Sequence, residues 1–217
     1  MEVEMLNILY GSQMESRRQE FDQLFKARFE TFVVGRGWSL PSYNGRERDQ
    51  FDKDCAVYFI DRDKNGEIVG SVRITPTDRC SLLADCFPHI SNPDPAPRSP
   101  HIYEATRYIS LPKEKSRAAN RASKARVIAA AMIWCFEHQV SRLQSVIDVE
   151  LLDAFMEMCP YIKVMGPTSA YGGGRGAPGG GMCLGISAPV HREAIEAILH
   201  FGNLDPNEFP IPVLSAA

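Results

Sequence analysis

Residues 28–52 read RFETFVVGRGWSLPSYNGRERDQFD, and they combine types that a plain scaffold has little use for. Phe21, Leu24, Phe25 and Phe32 recur at the three- and four-residue steps of one helical face. Arg28 falls on that apolar stripe, four residues after Leu24 and four before Phe32. A guanidinium there must reach water or meet a buried partner, because an unpaired charge away from water is very costly. Trp38 follows, and then Glu47, Asp49 and Asp52 gather around Phe51. A cation, aromatics and carboxylates in that order suit a zwitterionic small molecule. Taken singly, each residue also has an ordinary reading, the aromatics as core and the acids as a solvated loop.

The elements that must position these residues are those of a soluble globular chain. Its 217 residues, 44% hydrophobic and 24% charged, suffice for one domain with a substantial core. A net charge of −3 argues against a protein built around nucleic acid. No run approaches the roughly 18 apolar residues of a membrane span. The start, MEVEMLNILYG, lacks the basic region and apolar core of a signal peptide, so the expected location is the cytoplasm. Cysteines 55, 80, 86, 135, 159 and 183 form no CxxC pair and are read as reduced thiols. The five histidines lack metal-ligand spacing, and no metal or cofactor is expected.

Taken in order, the chain predicts a strand at 5–10, a helix at 15–34 stopped by Gly35 and Gly37, and an ordered loop at 38–55 with turn signals at Pro41 and Asn44-Gly45. Strands at 56–61 and 68–75 flank a hairpin turn at 63–66. Alternation puts Ile68, Val72 and Ile74 on one face and Val69, Ser71 and Arg73 on the other. A short helix at 81–87 precedes SNPDPAPRSPH, a proline-rich surface loop, and a strand at 102–111. Strict alternation separates Glu104 from Arg107, so a shared site requires a β-bulge between them. A long helix at 116–138 leads to strands at 145–149, 162–166 and 182–187 and helices at 151–158 and 191–200, before a tail with three prolines and little regular structure. The pattern is that of a single-domain α-β-α sandwich around a mixed, twisted sheet.

One arrangement is specific. Arg28, Phe32, Trp38 and Glu47-Arg48-Asp49-Gln50-Phe51-Asp52 resemble the signature of the acyl-homoserine-lactone synthases, the LuxI-type autoinducer synthases. Gly70-Ser-Val-Arg73-Ile-Thr-Pro-Thr is similar to that family's G-x-x-R-L-x-P-T strand, Phe87 to its phenylalanine, and Tyr103-Glu104-Ala-Thr-Arg107-Tyr108 to its W-E-x-S-R-F strand. Gly35 departs from the Lys, Arg or Gln usual three after the phenylalanine, with Arg36 beside it. The motifs cover residues 28–108; the rest agrees in element order. The resemblance implies a fold similar to the GNAT N-acyltransferases. It also implies an enzyme that takes S-adenosylmethionine as substrate and an acyl thioester on acyl carrier protein or coenzyme A as donor, acts as a monomer and makes a quorum-sensing signal.

Chemistry assigns roles within that frame. The amine must lose a proton before it attacks a thioester, so a base is needed, and Glu104 acting through water is the candidate. Backbone amides at a bulge near residues 104–107 could hold the oxyanion. Lactone closure expels a neutral thioether, so the carboxylate needs only positioning, by Arg28 or Arg107. Phe32, Trp38 and Phe87 would line the S-adenosylmethionine pocket with Glu47, and Asp49 and Asp52 would hold the ammonium, the ribose or the arginines. Arg73 is either catalytic or a clamp on those acids. Met132, Ile147, Met156 and Leu184 are expected to line the acyl pocket. Family members preferring 3-oxo chains often carry a threonine near Ile147 and Asp148, so an unsubstituted chain is expected.

Two further stretches have competing readings. Residues 113–126, KEKSRAANRASKAR, carry six basic side chains against one acid, and Arg117, Arg121 and Lys124 share a helical face. They form either a docking patch for an acidic carrier protein or a solvated helix start; the helix dipole disfavours cations there. YGGGRGAPGGG at 171–181 hints at a phosphate cradle, but no Gly-Lys-Ser/Thr follows, and a loop between strands is the simpler reading. The alternatives to the main function are a GNAT-type acylation of another amine and a non-catalytic binder of acylated carrier protein. The R/Q-x-x-G-x-G/A cradle of the former is absent from LPKEKSRAAN at 111–120.

Overall fold

The computed structural model describes residues 5–92 and 95–209. Part of the proline-rich loop (Pro93 and Asp94) and most of the proline-containing tail (210–217) lie outside them. Strand β1 (Met5–Tyr10) leads to helix α1 (Arg18–Arg28), which continues without a break as π-helix over Phe29–Gly35. The small hairpin β2 (Ser42–Tyr43) and β3 (Arg46–Glu47) turns at Asn44-Gly45, both at positive φ. Then come β4 (Val57–Arg62), β5 (Ile68–Pro76), α2 (Leu82–Cys86), β6 (Ile102–Ser110), α3 (Arg117–Glu137) and β7 (Arg142–Asp148). The chain closes with α4 (Leu152–Met158), β8 (Lys163–Val164), β9 (Ser169–Tyr171), β10 (Gly181–Pro189) and α5 (Arg192–Gly202).

Apart from the separate β2–β3 hairpin, the strands form one mixed sheet in the order β1-β4-β5-β6-β7-β10-β8, with β9 beside β10. Among the described residues only β6 and β7 run parallel; the other pairs are antiparallel. Phe21, Leu24 and Phe25 of α1 pack with Leu9, Tyr58 and Ile60 on one face. On the other, α3 and α5 cover Phe59, Val72, Ile74, Leu143 and Ile147 in the larger core. Runs of alanine at 125 and 129–131 let α3 lie close to the sheet. This is the expected α-β-α sandwich.

Two irregularities shape the site. Between Asp61 and Arg62 the β4–β5 register slips, and Ile68 packs with the α1 cluster, not on the Val72–Ile74 face that strict alternation assigned it. On β6, Ser71 pairs with Ile109 but Arg73 with Thr106, so β6 holds one extra residue, and Arg107 takes φ +54°. That bulge is the one required to bring Glu104 and Arg107 to a common site. Beyond it, β6 and β7 part: they pair only from Ile102↔Arg142 to Ala105↔Ser145.

Candidate active site

Three arginines from three elements converge on the loop carrying Glu47, Asp49 and Asp52. Arg28 donates through Nε to Glu47 at 2.6 Å and through Nη1 and Nη2 to Asp52 at 2.7 and 3.0 Å. Arg73 donates through Nη1 to Asp49 at 2.6 Å and Asp52 at 2.7 Å, and through Nε to Thr106 at 3.0 Å. Arg107 binds Glu47 through Nε at 3.1 Å and Nη2 at 3.0 Å, and Nη2 lies 2.7 Å from Asp49. Tyr58 adds its hydroxyl to Asp52 at 2.9 Å. Three positive charges meet three negative ones, so the array is neutral as a unit. Burial works to raise the Asp52 carboxyl, but the Arg28 and Arg73 guanidiniums outweigh it and hold it well below the usual carboxylate range.

The array divides into a wall and its foundation. Asp49, Arg107, Phe32, Trp38 and Phe87 line a cavity of about 490 Å³; Arg28, Glu47, Asp52 and Arg73 stand behind it. Arg28 has only 1% of its side chain exposed and does not reach the cavity, whereas Arg107, though also paired with Glu47 and Asp49, lines it together with Arg36. Between the two readings of Arg73, the geometry is that of the clamp. Phe32 stacks on Trp38 with centroids 5.3 Å apart, and the Arg107 guanidinium lies 5.7 Å from the Phe32 ring centre. The π-helical turn carries Phe32, and such turns recur at functional sites.

Glu104 is wholly buried behind the cavity. Its Oε1 accepts from the Leu83 amide at 2.8 Å, and Oε2 has no hydrogen-bond partner among the described residues. Burial pushes its carboxyl up to about 7, against the opposing pull of the Ser81 hydroxyl and the Leu83 and Leu82 amides. A carboxylate poised there can act as a general base near neutrality.

Past the fork of β6 and β7 the cavity turns apolar. Ile128, Met132, Leu143, Ile147, Phe155 and Ile198 line it, Met132 and Ile147 being two of the four residues expected in an apolar pocket. Met156 is corrected: α4 turns it outward, 42% exposed, while Phe155 faces in. Leu184 is corrected too, since it is packed in the large core and is not a lining residue. At the start of α3, Arg117, Arg121 and Lys124 line one surface groove with Lys115, Glu157 and Phe201. Arg121 is partly neutralised there, 2.9 Å from Glu157 and stacked 4.3 Å over Phe201.

The glycine-rich loop is a packing device. Gly179, at φ +68°, lies so close to the Gly37 carbonyl oxygen that an added Cβ would sit 2.0 Å from it. Tyr171, where that loop begins, meets Trp38 edge-on at 5.9 Å, and Arg36 reaches Asp148 at 2.6 Å. Sequence reasoning passed over Tyr58, Thr106 and Gln144. Tyr58 pairs in register with Arg73; Gln144 stands in a strand that also holds Arg142, Ser145 and Asp148, so nothing in the sequence marks it out.

Comparison with known proteins identifies the family. The autoinducer synthase family model matches residues 12–162. Over 150 residues the chain is 35% identical to an acyl-homoserine-lactone synthase of Ralstonia nicotianae, spanning 67% of this chain and 74% of that one. The crystal structure of TofI in a ternary complex with an inhibitor and MTA superposes with a TM-score of 0.75 at 27% identity, covering 94% of this chain and 99% of TofI. The CoA-dependent acyl-homoserine lactone synthase BjaI, solved with SAM and isopentyl-CoA, shares the fold at a TM-score of 0.77 and 20% identity, over 93% and 90% of the two chains. The chain belongs to the autoinducer synthase family.

Proposed function

We propose that this acyl-homoserine-lactone synthase holds S-adenosylmethionine against the wall formed by Phe32, Trp38, Asp49, Phe87 and Arg107, with the acyl chain of its thioester donor running through the fork into the apolar end. The observation that carries this reading is the single cavity that is ionic and aromatic at one end and apolar at the other, with Glu104 behind the junction. Arg107 holds the methionine carboxylate, while Arg28, Glu47, Asp52 and Arg73 keep that wall rigid.

The amine arrives as an ammonium. One proton passes through water to Glu104, freeing the lone pair. Nitrogen attacks the thioester carbonyl, the C–N bond forms, and backbone amides beside the Arg107 bulge steady the oxyanion. The C–S bond breaks, its electron pair leaves on the thiolate, and the thiolate takes a second proton from nitrogen. The carboxylate held by Arg107 then displaces the thioether from the neighbouring carbon, closing the lactone and releasing methylthioadenosine without further proton transfer. The donor is an anionic acyl carrier protein or coenzyme A, drawn to the groove of Lys115, Arg117, Arg121 and Lys124. Helices α4 and α5 contribute to both that groove and the acyl end of the cavity. The reaction belongs to the cytoplasm, where both substrates are made.

Incubating the purified chain with S-adenosylmethionine and acyl thioesters of varied length, on both carriers, should release methylthioadenosine and an acyl-homoserine lactone together. Finding neither across the series would sink the reading.

A further inference from the structure

Glu104 has a neighbour whose burial demands explanation. Gln144 on β7 is 1% exposed, and neither its amide nitrogen nor its carbonyl oxygen has a hydrogen-bond partner among the described residues. Leaving both ends of a carboxamide unsatisfied in the interior is unfavourable, and such groups are rare unless something polar visits them. Register and periodicity place it. Gln144 is the parallel partner of Glu104, so the two side chains leave the sheet side by side. Val146, two residues on, packs with the cluster beneath α2, and the Glu104 carboxylate is bonded to the backbone of that same helix. Leu143 and Ile147, of opposite parity, belong to the core on the other face.

The two residues differ in access. Gln144 lines the cavity and Glu104 does not. A substrate amine in the cavity therefore meets Gln144 before it meets the carboxylate, whose Oε2 has no hydrogen-bond partner among the described residues. The other polar side chains near the fork are engaged: Ser145 donates to the Ala105 carbonyl at 2.8 Å, and Thr106 accepts from Arg73 at 3.0 Å. We infer that Gln144 is a positioning residue for proton transfer, its carboxamide and Glu104 Oε2 together holding the water through which the amine reaches the base. The amide suits that task because it can donate to the water oxygen and accept from its hydrogen, whatever the charge on Glu104. The step adds no reagent: the proton leaves nitrogen, crosses the water and resides on Glu104.

This inference rests on Glu104 being the base, and the experiment separates the two. Gln144→Met keeps length and removes the amide. It should lower kcat by about tenfold to a hundredfold, part of what general-base catalysis supplies. The KM for S-adenosylmethionine should stay within about twofold, since Gln144 holds the water and not the carboxylate. The acid limb of the kcat profile should also move to higher pH, because the carboxylate loses a dipole that stabilises its charged form. The melting temperature should change little, because methionine fills nearly the same volume in the apolar surroundings. A variant with wild-type kcat, an unmoved acid limb, or a loss confined to KM would overturn the inference. Glu104→Gln, run beside it, must be far slower than wild type; equal turnover would overturn the base assignment and this inference with it. A dead Glu104→Gln with an unaffected Gln144→Met would overturn the inference alone.

Discussion

Arg28, Arg73 and Arg107 meet three carboxylates in an array where each guanidinium contacts at least two acids and none is more than 9% exposed. At the start of α3, Lys115, Arg117, Arg121 and Lys124 share an open surface groove with the single acid Glu157. The residue types are the same and their consequences are opposite. In the first region charge is cancelled internally, and what remains is shape: a fixed wall for a ligand that brings both signs of charge itself. In the second, positive charge is left over at a helix N-terminus, where the macrodipole adds to it, and it is offered to an anion from outside. Desolvation explains the division, since an unmatched charge is costly only where water is excluded.

Breaking the neutral array should have the largest effect. Arg28→Met leaves Glu47 and Asp52 short of a partner in the interior, and losing one member of a buried pair costs about 3–5 kcal/mol. Urea unfolding should show that loss, and adding Glu47→Gln should recover part of it. A change below about 1 kcal/mol would mean that the array is dispensable for stability.

Glu104 lies next in size. Its carboxyl is raised from 4.5 to about 7, so the folded chain binds the proton more tightly than the unfolded chain. Stability from this group is therefore complete below the unfolded value and is lost as pH rises from about 4.5 through 7. At roughly 1.4 kcal/mol per unit, the loss is on the order of 3 kcal/mol. Glu104→Gln should be nearly as stable as wild type at pH 4.5 and more stable at pH 8, while its turnover falls by about a hundredfold or more. Asp52 works in the other direction, its contribution being lost as pH falls through its lowered value. Equal pH dependence of unfolding in wild type and Glu104→Gln would show that the carboxylate is not desolvated.

Arg107 belongs both to the buried array and to the cavity wall. Arg107→Lys keeps a charge but loses the fork that spans Glu47 and Asp49. The KM for S-adenosylmethionine should rise about tenfold, the equivalent of one charge-assisted hydrogen bond at about 1.5 kcal/mol, with a stability loss smaller than that of Arg28→Met. An unchanged KM would remove Arg107 from the carboxylate.

Much of this was readable from residue spacing, and the failures have physical causes. Arg28 on an apolar stripe and Arg73 on an inward face each demanded a partner, and the nearby acids were the obvious supply. Glu104 and Arg107 required a bulge, and Arg107 provides it. Strict alternation misplaced Ile68, because a register slip at Asp61 and Arg62 leaves no local mark in the sequence. Met156 and Leu184 have the right chemistry for an acyl pocket, but a hydrophobic residue does not announce whether it faces a cavity, the core or water. Nor does spacing reveal that an arginine is fully committed. Arg28 and Arg107 are equivalent as letters, and only the cavity tells them apart.

The exposed groove should give the smallest effect on the fold and the cleanest effect on one substrate. Reversing Arg117 to Glu should change stability by no more than about 0.5 kcal/mol, and reversing Arg121, which loses Glu157 and Phe201, by about 1 kcal/mol. The KM for an anionic acyl donor should rise about tenfold, from two exposed charge reversals worth roughly 0.7 kcal/mol each, while that for S-adenosylmethionine holds. Because these charges face water, the effect should shrink as salt is raised toward 0.5 M, which shortens the screening length to a few ångströms. Arg121 already shares Glu157, so the Arg117 reversal should account for more of the change than the Arg121 reversal. A KM shift shared equally by both substrates, or one indifferent to salt, would place the donor elsewhere and leave the α3 groove as a solvated helix start.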